Sequence, residues 1–329
     1  MSKLIIIPDM HDRIEEPKHS ACNDFMTWFI NSEHNIVNST LLFEGDLGEK
    51  PSPESDINDE LHDFIERECK AEKKIILVGN HDLSIKGYQY KYLGSKFITI
   101  VDKPCSMKIG NLNCLLLPHY DYIQSEIKTP MYEYYSNLPD ELRNQKYDFA
   151  FSHCMDESQV KIEKLYCDLS YLDITVRIFG HNHLFDKLSG GNYLGSVFEN
   201  SSSEKNTEKY IAVIDTDIKE VEYVNIPKTL EHFSINYPDD LPNSKYKYNI
   251  FDINEVIDDK ECIEYYTKQA SIKGYTFWYN KLNKKQLKEI SDVRSEKESS
   301  ITDYFAEYCK ENKVDSKVEA IVMEQLNNV

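Results

Sequence analysis

Paired cysteines are the first thing missing. The eight cysteines stand at 22, 69, 105, 114, 154, 167, 262 and 309, and no two form a Cys-x-x-Cys pair. This scatter argues against a zinc–cysteine site and against a disulfide framework; reduced core thiols are expected. Long apolar runs are missing too, and none nears the roughly 20 residues that a membrane-spanning helix needs. Leu4-Ile5-Ile6-Ile7 stops at Pro8, which suits a first strand better than a signal-peptide core, so a cytoplasmic location and no membrane contact are expected. Arginine is scarce among the 38 basic residues, and 57 acidic residues bring the net charge to −19. Such a balance argues against non-specific coating of nucleic acid. It still admits a nuclease, because divalent cations and local lysine patches reverse the field within one cleft.

What is present is a series of short apolar runs with polar ends. Ile75-Ile76-Leu77-Val78 reads as a buried strand and runs into Gly79-Asn80-His81-Asp82. Leu4–Ile7 precedes Asp9-Met10-His11, and Leu41-Leu42-Phe43 precedes Gly45-Asp46. Between them, residues 19–31 and the apolar positions Ile57, Leu61, Phe64, Ile65 and Cys69 have helical spacing. The first third thus reads β-α-β-α-β, with about 35 residues between strand-end motifs, as crossover connections within one sheet require.

The middle is more β-like. Residues 97–101, 106–109 and 112–117 read as strands, with Gly110-Asn111 as a hairpin turn. Phe149-Ala150-Phe151 leads to Ser152-His153, and Thr175–Phe179 leads to Gly180-His181-Asn182-His183. A closing hairpin is expected over 210–215 and 221–224. The expectation is a four-layer α/β fold with two sheets and helices outside. Near residue 230 the character changes. A strand (246–253), a helix (255–270) and a strand (275–280) form a β-α-β unit, followed by lysines 281, 284, 285 and 288. Two amphipathic helices close the chain, the last with a Ser316/Glu319 capping box. The helices either pack on the main body or bind a partner. The domains expected are 1–228, 229–290 and 291–329.

Five strand ends therefore carry metal-type ligands in order: Asp9-x-His11, Gly45-Asp46, Gly79-Asn80-His81-Asp82, Ser152-His153 and Gly180-His181-x-His183. Singly each has an ordinary explanation; together they suit two divalent ions about 3.5–4 Å apart that activate a water and steady the phosphoryl oxygens. Imidazoles with carboxylates favour ions such as Mn, Fe, Zn or Ni. A histidine that is not a ligand is free to protonate the departing oxygen.

In these blocks the sequence resembles the calcineurin-like metallophosphoesterases, whose ordered signature is D-x-H, G-D, G-N-H-D/E, H and G-H-x-H. The resemblance covers about the first 185 residues. It implies a two-sheet metallophosphoesterase sandwich, with Asp9, His11 and His183 on one metal, Asp46 bridging, and Asn80, His153 and His181 on the other. His81 would contact the phosphate and act as general acid, and Asp82 would orient it. One block departs: where relatives continue G-D-x-x-D or G-D-x-x-H, this chain has Glu49. Glu49 keeps a carboxylate there but cannot replace a phosphate-positioning histidine. The Arg-rich block of the Ser/Thr protein phosphatases is lacking, which argues against that activity.

Tyr193-Leu194-Gly195-Ser196, a polar loop at 201–206, a closing hairpin, a β-α-β capping module and a terminal helix pair follow in the order of the SbcD-type DNA nucleases, particularly short phage versions. That resemblance implies a Mn²⁺-dependent DNA exo/endonuclease subunit of recombination and repair. Its partner would be an SMC-like coiled-coil ATPase gripped by the C-terminal helices, and homologous nucleases are homodimers. A small-substrate phosphodiesterase or dinucleoside-polyphosphate hydrolase is the second reading, and the acidic charge suits it. A non-catalytic scaffold is the third, and the intact ligand set argues against it. His119, in Leu117-Pro118-His119-Tyr120, lines the cleft or belongs to an ordinary loop.

Overall fold

The computed structural model describes residues 2–13, 15–49, 59–84, 87–88, 97–120, 130–156, 166–188, 191–253 and 259–281. The elements that matter here are β1 (Lys3–Ile7), α1 (Lys18–Asn31), β2 (Ser39–Phe43), α2 (Asp59–Asp63), β3 (Lys73–Leu77), β4 (Ile98–Val101), β5 (Cys105–Ile109) and β6 (Leu112–Leu117). Then come α3 (Met131–Ser136), α4 (Asp140–Arg143), β7 (Lys146–Ser152), β8 (Asp173–Phe179), β9 (Asp186–Leu188), β10 (Gly191–Tyr193), β11 (Tyr210–Asp215) and β12 (Val221–Asn225). A last group is β13 (Leu230–Ile235), β14 (Tyr248–Ile253), α5 (Asp259–Lys273) and β15 (Trp278–Lys281).

Two six-stranded sheets result, ordered β12-β11-β1-β2-β3-β4 and β9-β10-β8-β7-β6-β5. Strands β1 to β4 run parallel, as do β6, β7 and β8. The strand period of two sorts the apolar side chains into layers. Leu4, Ile6, Leu42, Ile75 and Leu77 face Leu112, Cys114, Leu116, Phe149 and Phe151 between the sheets. Ile5, Ile7, Leu41 and Phe43 face the other way, onto Phe25 and Phe29 of α1 and onto Phe64. Leu115, Leu117, Ala150 and Phe179 turn to the opposite exterior, where Tyr135, Leu138 and Leu142 cover them. Near-continuous apolar runs are what strands buried on both faces require, and the expected four-layer α/β sandwich is present.

Differences from expectation have local causes. The helix expected through Cys69 is α2 followed by a wider π turn, Phe64–Glu68. The β-α-β unit has a further strand, β13, parallel to β14. Its buried polar positions hid it: Glu231 pairs with Lys228, and His232 Nδ1 faces Asp252 at 3.4 Å. The resulting three-stranded sheet has an apolar cluster of its own around Phe251, Cys262 and Tyr266, while Leu230, Tyr248 and Ile250 pack on the main body.

The thiol expectation needs correcting at one pair. The short strands Met155–Asp156 and Tyr166–Cys167 pair in parallel, and Cys154 and Cys167 are joined as a disulfide, Cα atoms 6.5 Å apart. Strand pairing, which spacing does not reveal, brings the two sulfurs together. Cys22, Cys69, Cys105, Cys114 and Cys262 are free thiols. Cys309, lysines 284, 285 and 288 and the C-terminal helices lie outside the described residues. Among the described residues no helix is long and apolar enough to cross a membrane.

Candidate metal centre

Each parallel strand of the two sheets, β4 apart, delivers histidine, asparagine or aspartate from its carboxyl end. Asp9 and His11 follow β1, Asp46 follows β2, Asn80 and His81 follow β3, His153 follows β7, and His181 and His183 follow β8. The backbone bends hard to do this. His11, Asp46 and His181 have φ of 46°, 47° and 72°, in the left-handed region that costs a non-glycine residue about 1–3 kcal/mol. Hydrogen bonds hold the bends: Met10 N and His11 N both donate to Asp46 O, at 3.1 and 2.8 Å, and His181 N donates to Asp9 Oδ2 at 2.9 Å. Gly79 passes so close to Asp46 that a Cβ there would collide with its carboxylate and amide.

Three clusters form, each with ligand atoms within 4.8 Å of one another: Asp9 with His11 and His183, His11 with Asp46 and His81, and Asp46 with His153 and His181. Asp46 is the shared member. Its Oδ2 is 3.7 Å from His11 Nε2 and 3.1 Å from His153 Nε2, while its Oδ1 accepts from His81 N at 2.8 Å. Asn80 Oδ1 sits between His153 Nε2, at 3.0 Å, and His181 Nδ1, at 2.7 Å. All seven expected ligands thus converge, with Asp46 between two groups.

The donor set fits divalent cations. Asp9 Oδ1 and His11 Nε2 are buried without a hydrogen-bond partner, an arrangement that is costly unless a cation satisfies them. Burial holds His11 down at about 4 and His181 at about 3, so both rings are neutral and offer a lone pair. Burial also pulls His153 down, but the Asp46 and Asp9 carboxylates outweigh it and hold this ring up at about 10. Its Nδ1 donates to the Glu44 carbonyl at 2.7 Å, which aims Nε2 at the centre.

His81 is half-buried, its ring centroid 4.9 Å from that of His11, and its Nδ1 contacts the carbonyl oxygen of Glu49. The expectation that Asp82 orients His81 needs revising. The buried Asp82 carboxylate accepts from Gly79 N, Asp46 N and Leu47 N, at 2.7, 2.9 and 3.0 Å. Asp82 therefore ties the second motif loop to the third, and the contact at the His81 ring comes from Glu49.

Three residues at the centre went unassigned from sequence. His119, just past β6, lies with its ring 6.1 Å from His181 and 6.3 Å from His153. It obeys the same rule, a polar residue past a parallel strand, and that rule would have found it. Glu44, fully buried with neither carboxylate oxygen hydrogen-bonded, is raised well above the usual carboxylate range by burial. Glu204, from the polar loop at 201–206, reaches His183 and had no local signal.

Two parallel-stranded sheets meeting at a carboxylate flanked by imidazole clusters define a metal-binding α/β sandwich of the hydrolytic kind. The chain belongs to the calcineurin-like phosphoesterase family, whose model matches residues 2–185; membership implies metal-dependent phosphoester chemistry. Among curated protein sequences none matches this chain. A solved archaeal phosphodiesterase is 16% identical, at TM-score 0.37, over 68% of this chain and 99% of its own. The NAD nucleotidase of Haemophilus influenzae is 10% identical, at TM-score 0.29, and the match spans 89% of this chain and 59% of the nucleotidase. At such identities the substrate has to be read from this chain's own residues.

Proposed function

We propose that this protein is a two-metal phosphodiesterase and, more narrowly, a Mn²⁺-dependent DNA exo/endonuclease subunit acting in recombination and repair with an SMC-like coiled-coil ATPase. The observation that carries the hydrolytic reading is Asp46, one carboxylate placed between two sets of imidazoles. Asp9, His11 and His183 would hold one ion, Asn80, His153 and His181 the other, and Asp46 would bridge. When bound, the ions supply Lewis-acid polarisation of the phosphoryl group and activation of water. His81, with Nδ1 committed to the Glu49 carbonyl, is left with Nε2 to protonate the departing oxygen.

DNA as substrate is supported by the order of elements after the last motif: closing hairpin, β-α-β module, and a lysine-bearing C-terminal region that would grip the ATPase. The net charge of −19 favours a second reading, a small-substrate phosphodiesterase or dinucleoside-polyphosphate hydrolase, because DNA affinity normally comes from neutralising phosphates. On the first reading the ATPase supplies much of the DNA grip.

The test is end-labelled linear duplex DNA incubated with Mn²⁺, Mg²⁺ or EDTA beside bis-p-nitrophenyl phosphate. Manganese-dependent DNA cleavage, absent in His81→Ala, is the expected result. Cleavage of the small diester alone, persisting after the ATPase is added, would transfer the assignment to the small-substrate reading.

A further inference from the structure

Carboxylates stand behind both histidines of the first cluster. Glu49 Oε2 accepts from His11 Nδ1 at 3.0 Å, and Glu204 Oε1 accepts from His183 Nδ1 at 2.9 Å. Each contact fixes the tautomer and turns the other ring nitrogen, Nε2, towards Asp46 or Asp9.

These carboxylates are themselves held. Glu204 is 2% exposed, and its Oε2 accepts from Lys209 Nζ at 2.7 Å, Ser196 Oγ at 3.0 Å and Asn200 N at 3.1 Å. Asn200 Oδ1 accepts from Arg13 Nη2 at 3.0 Å, and the same Nη2 donates to Glu49 Oε2 at 2.7 Å. The contacts close into one circuit running His11, Glu49, Arg13, Asn200, Glu204, His183. The second cluster is backed differently: His153 Nδ1 meets a neutral backbone carbonyl, and His181 Nδ1 faces the candidate ligand Asn80.

We propose that Glu204, Glu49 and Arg13 are positioning residues that set His11 and His183 as one unit and so govern the binding of one of the two divalent ions. An anionic acceptor behind an imidazole orients the ring and makes it a stronger donor to a cation, and losing one typically costs 10–100-fold in metal affinity. Because Arg13 and Asn200 join the two carboxylates, their effects are coupled; independent sites would give additive losses. The inference rests on the two-metal reading above and extends it to residues that touch neither ion nor substrate.

The experiment is calorimetric titration of Mn²⁺ into the metal-free full-length protein, with circular dichroism confirming the fold of every variant. In Glu204→Gln one of two binding events should weaken roughly 10–100-fold while the other stays within about threefold. Glu49→Gln should weaken the same event, and the double variant should lose less than the product of the two single losses. Glu204→Asp should recover part of the affinity. Should Glu204→Gln misfold because Lys209 is left charged and buried, Glu204→Gln/Lys209→Met carries the same measurement, and Arg13→Met breaks the circuit nearer the surface. Two unaltered binding events in the folded variants, or equal weakening of both, would overturn the inference and leave the two-metal reading standing. A wild-type protein that takes up no Mn²⁺ would overturn both.

Discussion

His153 and Asp46 form a buried ion pair, Nε2 to Oδ2 3.1 Å, with the histidine fully enclosed and its second nitrogen on the Glu44 carbonyl. The nitrogen that would bind a cation is the one that holds the paired proton in the metal-free protein, so metal and proton compete for it. Uptake of Mn²⁺ at neutral pH should release about one proton at this cluster, and affinity should fall as pH is lowered. Titrations in two buffers of different ionisation enthalpy measure the release directly; identical apparent enthalpies would contradict the exchange. The pair also bears on stability. The ring is raised from 6.5 to about 10 in the fold, so its contribution to the metal-free protein is complete below pH 6.5 and is lost as pH climbs through about 10.

His81 is set apart from the other imidazoles by its half exposure and by its Glu49 carbonyl contact. His81→Ala should reduce hydrolysis by about 10²–10⁴-fold, the usual range for a proton donor, while the protein still binds two ions. Metal analysis after gel filtration decides between roles: a variant that has lost an ion shows His81 to be a ligand, as its place beside His11 and Asp46 also permits.

Asp46 reaches both groups of imidazoles, whereas Asn80 reaches only the second among the contacts described. Asp46→Ala should therefore abolish binding of both ions, and Asn80→Ala should remove or weaken one. Equal loss in the two variants would mean that Asp46 does not bridge.

The motif blocks were legible because each is local: an apolar strand followed within a few residues by aspartate, asparagine or histidine. The layer order was legible for a related reason, since strands buried on both faces show as unbroken apolar runs. What stayed hidden depends on contacts between distant parts of the chain. Arg13 meets Asn200 and His183 meets Glu204 only because β1, β8 and the loop after β10 converge. The strand β13, Leu-Glu-His-Phe-Ser-Ile, carries no clear pattern because Glu231 and His232 are buried against Lys228 and Asp252. Asp82 illustrates a third case. Its position in the motif was plain, yet its partners are backbone amides, which side-chain identity cannot foretell.

Residues after about 295 carry the amphipathic helices read from sequence and assigned to the ATPase partner. A chain ending near 295 should hydrolyse bis-p-nitrophenyl phosphate at the wild-type rate, because every candidate ligand lies before residue 184. It should also fail to co-purify with the ATPase. An insoluble truncation would show instead that these helices pack on the main body.

Asp82 gives the last prediction, one of stability. Its carboxylate satisfies three buried backbone amides, from Gly79, Asp46 and Leu47. Asp82→Ala leaves those donors unpaired in a space too tight for ready rearrangement, since Gly79 already lies against Asp46. A charged acceptor contributes about 1.5–3 kcal/mol per hydrogen bond, and an orphaned buried donor costs a similar amount. The metal-free variant should therefore lose about 3 kcal/mol or more in urea unfolding. Asp82→Asn, which keeps one acceptor oxygen, should recover part of it. If Asp82→Ala instead melts like wild type but loses catalysis alone, the residue acts through His81 after all, and the bracing role assigned to it here is wrong.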